Sequence, residues 1–227
     1  TFRYRDFKTL KDNNLNEVDM WLTDIHINYF LDVFQEKIKD RVQYFDTGVT
    51  QKFIIDIRGA SEREKSNMAS HYHDFLEIKT NAKYIIFPGV VKSHWVVLIF
   101  EINSSKVIFF DPHGSQANIE RKKIIEDGFN QFKKLYTKVC IIKKWINPFD
   151  VKKIIFNVEK LQTEQSDSWS CGYFCLFFIE FFFKINNLKS KNFIPLEYRK
   201  YLKNVCLESS SSDAICLYCC EKNSMVG

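Results

Sequence analysis

Two apolar runs, Val96-Val-Leu-Ile-Phe100 and Val107-Ile-Phe-Phe110, flank the polar stretch Asn103-Ser-Ser-Lys106. Runs of β-branched and aromatic residues on either side of turn-forming ones read as a β-hairpin. Neither run alternates apolar with polar, so both strands are covered on both faces and lie at the centre of a sheet. Such a hairpin needs layers on each side, and the rest of the chain offers them. Helices are expected over Asp24 to Lys39, over Gln116 to Tyr136 with the stripe Ile124, Ile125, Phe129 and Phe132, over the greasy run after Cys171, and over Pro195 to Asn204. Tyr84 to Phe87 reads as another strand with Pro88-Gly89 as the turn after it, and Val139 to Ile142 and Ile154 to Val158 are further strand candidates. Phe53 to Ile57 is a strand or a short helix, and Ser61 to Lys79 a charged, helical insert. The expected class is α+β, a central mixed sheet flanked by helices. At 227 residues with 22 Phe, and only 7 Gly and 4 Pro, the chain fits one domain with a large core. That domain spans 1–207, with Thr1 to Glu17 as its N-terminal arm; 208–227, which contains the serine run Ser209 to Ser212, reads as a flexible tail.

Chemistry-bearing residues gather at the hairpin's ends. His94 opens the first strand and Asp111 follows the second, and a hairpin brings those two ends to one side. An acid beside an imidazole fixes its tautomer and stabilises the imidazolium. A turn centred between Ser104 and Ser105 sets Asp111 opposite Leu98, roughly 13 Å along the strand from His94 at the usual rise, so a skew or bulge is needed to close the gap. Downstream, Gln165-Ser-Asp-Ser-Trp-Ser-Cys171-Gly leads into the apolar run Leu176 to Phe183. Alone, such a cysteine is a core thiol. With a His and an Asp upstream, a thiol at a helix's first turn sits where free N–H groups and the macrodipole favour the nucleophilic thiolate. Gln165 is placed to give an N–H to a developing oxyanion.

The order His94-Trp95, Asp111, Gln165 and Cys171-Gly, with Gln six residues before Cys, resembles the ubiquitin-like-protein-specific cysteine proteases, that is, the SUMO proteases and their adenain-like viral relatives. Upstream, Trp21-Leu-Thr-Asp24 leading into Ile27-Asn-Tyr is similar to the segment that opens the SUMO-protease domain, and the likeness spans about residues 15 to 205. The resemblance implies a papain-like cysteine protease fold in permuted His-Asp-Cys order. It implies Cys171 as nucleophile, His94 as general base and acid, Asp111 as the group orienting His94, and Gln165 with the Cys171 N–H as oxyanion donors. It implies Trp21 and Trp95 as the walls of a slot for a substrate diglycine, and Asp24 as a contact for a basic residue of the modifier. Two flat indoles admit residues without Cβ, which is the physical basis of that selectivity; Asp24 also suits an N-cap.

Ser170 stands where the family often has Asp, and Asp111-Pro-His-Gly114 and Ser170-Cys-Gly-Tyr-Phe-Cys175 are closer to the viral form. Three functions follow: a deconjugase of a ubiquitin-like, SUMO-like modifier cleaving after Gly-Gly; a maturation protease of a virus or virus-like mobile element acting on its polyprotein at Gly-containing sites; and a non-catalytic module that binds ubiquitin-like proteins. The intact set of four favours catalysis. The net charge of +5, with 28 acidic among 33 basic residues, describes an ordinary surface. Lys122-Lys123, Lys133-Lys134 and Lys143-Lys144 read as solvated faces rather than a nucleic-acid site. Seven cysteines, an odd number, suit a reducing compartment, nucleus or cytoplasm, and a monomer without cofactor is expected. Cys175 reads as a core thiol. Cys216, Cys219 and Cys220 have metal-like spacing but no second ligand pair, so no metal is expected. The longest apolar stretch, Tyr173 to Phe183, is interrupted by Glu180 and is too short to span a membrane. His26, His71 and His73 read as surface or satisfied core residues, and His113 is the second candidate for the base.

Overall fold

The computed structural model describes residues 21–38, 41–79, 81–114, 118–150, 154–185 and 193–209. The N-terminal arm, the tail beyond 209 and Cys216, Cys219 and Cys220 lie outside these residues. The described helices are α1 (Asp24–Ile38), α2 (Thr47–Thr50), α3 (Glu62–His71), α4 (Asn118–Lys143), α5 (Cys171–Phe182) and α6 (Pro195–Ser209). Five strands, β1 (Val42–Tyr44), β2 (Tyr84–Val91), β3 (His94–Glu101), β4 (Lys106–Phe110) and β5 (Ile155–Glu159), form one sheet in sequence order. β3 runs antiparallel to both β2 and β4, while the outer strands join parallel, β1 on β2 and β5 on β4. The architecture is therefore α+β around a mixed sheet, as the sequence leads one to expect.

The central hairpin is buried on both faces. Val97, Ile99, Ile108 and Phe110 pack with α1, α5 and α6, whereas Val96, Leu98, Phe100, Val107 and Phe109 pack with α4. Alternation along each strand thus feeds two separate cores. At the end of β4, Phe110 stacks on Phe178 of α5 with ring centroids 4.2 Å apart and planes 3° from parallel. Such a pair is worth ~0.5–1.5 kcal/mol beyond its buried area and ties the strand end before Asp111 to the helix that carries Cys171.

Two local expectations are corrected, and a third, open between strand and helix, is decided. First, Pro88-Gly89 is not a turn: β2 runs through it to Val91, opposite His94. The turn is Lys92-Ser93, both with positive φ (52° and 58°), a two-residue connection whose twist suits adjacent strands. Pro88 is tolerated because β1 pairs β2 only as far as Ile86, so that flank of β2 has no strand to receive a missing N–H. At Gly89 the helical segment over 47–59 comes close, since a Cβ there would lie 3.0 Å from Ile55 Cδ1 and 3.1 Å from Thr50 Cγ2.

Second, Val139 to Ile142 is helix, not strand. Three of its four residues are β-branched, but the apolar stripe Phe129, Phe132, Leu135, Tyr136, Val139, Cys140 keeps the helical period and buries each member, leaving Ile141 and Ile142 exposed. The helix stops where Lys144 turns left-handed (φ 57°) and the Trp145 N–H closes on the Cys140 carbonyl. Third, Phe53 to Ile57 takes the helical alternative, as a π-turn over Gln51–Ile55 followed by a 3-10 turn over Asp56–Gly59. Around it, α4 approaches so closely that a Cβ on Gly128 would sit 1.7 Å from the Ile54 carbonyl oxygen. The charged insert is helical over α3, opened by a reciprocal capping box between Ser61 and Glu64. No described helix is long and apolar enough to cross a membrane.

Candidate active site

The hairpin register brings His94 and Asp111 together without a bulge. Val97 pairs with Phe110 and Glu101 with Lys106, so the loop is Ile102 to Ser105, with Ser105 left-handed (φ 54°). Relative to a turn centred at Ser104-Ser105, this moves Asp111 from opposite Leu98 to opposite Val96. Two residues, roughly 7 Å of strand, then separate it from His94, which two side chains span. His94 Nε2 lies 2.9 Å from Asp111 Oδ1, and both residues are buried.

Asp111 is held from several sides. The His113 N–H donates to Oδ1 (3.0 Å), Arg121 Nε to Oδ2 (2.6 Å), and Arg121 Nη2 to Oδ1 (3.3 Å). Burial pushes this carboxyl up, but the hydrogen bonds from His94, Arg121 and the His113 N–H outweigh it and leave the group below the ordinary carboxylate range. A carboxylate held ionised can only accept. His94 Nε2 therefore carries the hydrogen, and Nδ1 is the ring's free lone pair.

Cys171 is the first residue of α5 and is buried. The Trp95 N–H, next to His94 in the chain, and those of Gly172 and Cys171 itself point to its sulfur and favour the thiolate. Burial is the larger effect and pushes the thiol up, with the Asp167 charge adding to it. The sequence leads one to expect a thiol activated by the helix terminus. In the structure those amides only partly offset the cost of desolvation, so ionisation depends on a partner base. Gly172 allows the close approach: a Cβ there would meet Leu22 Cβ at 2.9 Å, Leu22 Cδ1 at 3.3 Å and Trp95 Cδ1 at 3.3 Å.

The loop before Cys171 is organised by Asp167, which sequence reading passed over. Its Oδ1 accepts from the Trp169 N–H (3.0 Å) and the Ser170 N–H (2.7 Å), and its Oδ2 from the Ser170 hydroxyl (2.8 Å). An Asp followed by Ser-Trp-Ser is the signal for such a turn. Gln165 is bound to the same residue: its Nε2 donates to the Asp167 carbonyl (2.8 Å) and Oδ1 (3.2 Å), while its buried Oε1 has no hydrogen-bond partner. The Gln165 N–H bonds the Pro112 carbonyl at 2.8 Å, which docks this loop on the Asp111–Gly114 turn. Gly114 completes that turn at φ 69°, where a Cβ would fall 2.0 Å from Glu164 Oε1. The Pro-His-Gly sequence therefore answers a conformational need.

The two indoles differ. Trp95 is buried, and its Nε1 donates to the Leu22 carbonyl at 2.9 Å; Trp21, the neighbour of Leu22, is 38% exposed. Asp24 is exposed at the first position of α1 and is not the cap. Thr23 takes that place: His26 Nδ1 accepts from the Thr23 N–H (3.1 Å) and lies 2.8 Å from its hydroxyl, which makes His26 a satisfied core residue. His71 and His73 sit beside backbone carbonyls at the surface, and Cys175 is a buried thiol. His113 stacks on His94 at 4.1 Å and 27°. Its Nδ1 faces Arg121 Nη2 (3.2 Å), so it is not the ring that Asp111 orients. Neither Arg121 nor Asp167 was singled out by sequence reading.

The model of the Ulp1 protease family, C-terminal catalytic domain, matches residues 20–212. No curated protein sequence matches the chain significantly. Among solved structures, the fold is similar to the C-terminal Ulp1 protease domain in complex with Smt3, the yeast ortholog of SUMO (TM-score 0.60, 16% identity, 90% of this chain and 81% of that one covered). It is also similar to the SUMO protease Ulp1 with its catalytic cysteine oxidised to a sulfinic acid (0.61, 17%, 90% and 82%). A third likeness is to a de-sumoylating protease (0.54, 16%, 96% and 82%). At these identities the structural likeness establishes the fold.

Proposed function

The chain belongs to the Ulp1 protease family and is a cysteine peptidase, and from that premise we propose that it cleaves after the Gly-Gly-type C-terminus of a SUMO-like modifier through an acyl-enzyme on Cys171. The observation that carries this reading is the buried His94–Asp111 pair, with the N–H of the next residue, Trp95, directed at the Cys171 sulfur and the Trp95 indole pinned against Leu22 and Gly172. His94 Nδ1 takes the thiol proton as Sγ bonds to the carbonyl carbon of the terminal glycine. The N–H groups of the first α5 turn meet the developing oxyanion, joined by Gln165 Nε2 once a hydrogen it gives to Asp167 turns to the substrate. Collapse of the tetrahedral species breaks the C–N bond, and His94 returns the proton to the leaving amine. A water, deprotonated by the same ring, then releases the glycine carboxylate and restores the thiol. Trp95, bonded to Leu22 whose chain neighbour is the exposed Trp21, suits a slot for residues that lack Cβ, and exposed Asp24 suits a basic contact on the modifier. Work by a free thiol fits a reducing compartment, nucleus or cytoplasm, and a monomer suffices for this chemistry.

A panel of SUMO, ubiquitin and related proteins bearing C-terminal electrophilic traps tests the proposal. A covalent adduct that disappears in Cys171→Ala and His94→Ala supports it and names the modifier. Silence across the panel, with cleavage of Gly-containing polyprotein peptides, replaces it with the maturation-protease reading. Capture of a modifier without any bond to Cys171 leaves a binding module.

A further inference from the structure

We propose that Arg121 and His113 are positioning residues for the catalytic imidazole: Arg121 locks the Asp111 carboxylate and the His113 ring, and His113 walls one face of His94. The inference rests on reading His94 and Cys171 as the catalytic pair.

Arg121 lies in the first turn of α4, on the opposite layer from α5, and its side chain is only 13% exposed. Its planar fork makes three contacts at once, with Asp111 Oδ2 (2.6 Å), Asp111 Oδ1 (3.3 Å) and His113 Nδ1 (3.2 Å). The first two fix the rotation of the carboxylate about its last bond. Oδ1 is the oxygen that meets His94, so holding Oδ2 in place keeps Oδ1 on target. The third contact sets a tautomer. A guanidinium has no acceptor, so His113 Nδ1 presents its lone pair, and the ring is neutral with its hydrogen on Nε2. That neutral ring lies 4.1 Å from His94, nearly parallel, while the His113 N–H bonds Asp111 Oδ1. An imidazolium formed at His94 during thiol attack therefore meets a π face rather than a second cation. His94, Asp111 and His113 offer ligand atoms within 4.8 Å of one another, a spacing that a metal ion can use. Here a guanidinium is bonded to two of the three, so the cluster already holds its cation.

The test measures the rate at which iodoacetamide alkylates Cys171 at pH 7 in the folded protein, located by peptide mass spectrometry, with the melting temperature recorded alongside. Arg121→Met is expected to slow alkylation at least ~10-fold, in line with the sensitivity of catalytic groups to misplacement. Arg121→Lys, a point charge without the fork, recovers part of the loss and carries the same comparison should Arg121→Met not fold. His113→Ala slows the reaction ~5-fold, and His113→Phe, which restores a ring, recovers part of that. A role limited to docking α4 would lower the melting temperature while leaving the rate at wild type, or raise it by exposing the thiol; that result overturns the inference alone. A wild-type Cys171 no faster than the buried Cys140 and Cys206 overturns the catalytic-pair reading and the inference with it.

Discussion

Gly172→Ala adds one methyl where the helix of the proposed nucleophile meets the wall of the proposed slot. The new Cβ would lie 2.9 Å from Leu22 Cβ and 3.3 Å from both Leu22 Cδ1 and Trp95 Cδ1. Carbon atoms rest at roughly 3.5–4.0 Å, so something must move by about 0.6–1 Å. Leu22 Cβ is fixed to its backbone, and the Leu22 carbonyl holds the Trp95 indole, so no flexible chain end can absorb the shift. The displacement falls on the first turn of α5 or on the Leu22–Trp95 unit. Overpacking costs ~1–3 kcal/mol, and alanine's better helix propensity returns about 1. The net loss is therefore about 0–2 kcal/mol, or a melting temperature lower by up to ~8 °C at ~2–4 °C per kcal/mol. A misplacement of 1 Å costs ~10²-fold in rate, so a shift of this size costs roughly 10-fold or more. The expected signature is a catalytic loss well beyond the loss of stability. It is read as kcat/KM on the modifier that passes the trap panel, as the iodoacetamide rate at Cys171, and by calorimetry. Gly59→Ala, with nothing within 4 Å of the new Cβ, is the control and stays near wild type. A Gly172→Ala protein within twofold of wild type in both rates would refute the claim that this contact sets the position of the thiol.

Gly128→Ala is a stability perturbation away from the site. Its Cβ would fall 1.7 Å from a carbonyl oxygen, so α4 must part from the segment around Ile54, and a loss of at least ~3 kcal/mol should show as a lower denaturant midpoint. Asp167→Ala leaves the N–H groups of Trp169 and Ser170 without their acceptor and should cost ~1–3 kcal/mol in chemical denaturation. Asp167→Asn removes the charge while an oxygen remains. Burial is the main cause of the raised Cys171 thiol and Asp167 a lesser one, so the pH midpoint of alkylation should move down in this variant. His113 is lowered from its ordinary 6.5, first by burial and then by the charges of His94 and Arg121. Its stabilising contribution is complete above pH 6.5 and is lost as pH falls through the lower folded value. Urea unfolding at pH 7.5 and at pH 5 should show a smaller difference in His113→Phe than in wild type.

What was legible in the sequence, and what was not, divides along a physical line. Burial on both faces of a hairpin writes itself as unbroken apolar runs, so the centre of the sheet was readable from Val96 to Phe110. Backbone sign was not: Lys92, Ser93 and Ser105 adopt positive φ although none is Gly or Asn, and these three residues set both hairpin registers. The predicted turn at Pro88-Gly89 was reasonable for the residues themselves. It failed because the strand passes a point where one neighbour has ended and a helix needs the room that only glycine leaves. Over Val139 to Ile142, local β-propensity lost to the phase of a longer stripe, as tertiary burial usually decides.

The same division runs through the site. His94, Asp111, Gln165 and Cys171 are recognisable because the proposed reaction calls for those side chains at strand and helix ends, where the fold puts them in a fixed chain order. Arg121 and Asp167 answer to no such pattern. Each is a charged residue among others, Arg121 in a helix that also carries Lys122 and Lys123, and nothing in composition marks which cation turns inward. What singles out Arg121 is a buried carboxylate at the end of β4, ten positions back, which has hydrogen bonds from His94 and the His113 N–H and gains its guanidinium from α4. A buried acid raises a question that the chain must answer elsewhere: which cation offsets its desolvation. In a sequence read for a thiol, an imidazole and an acid, that question points next to the basic residues of the helix that follows the acid, and here the first of them supplies the answer.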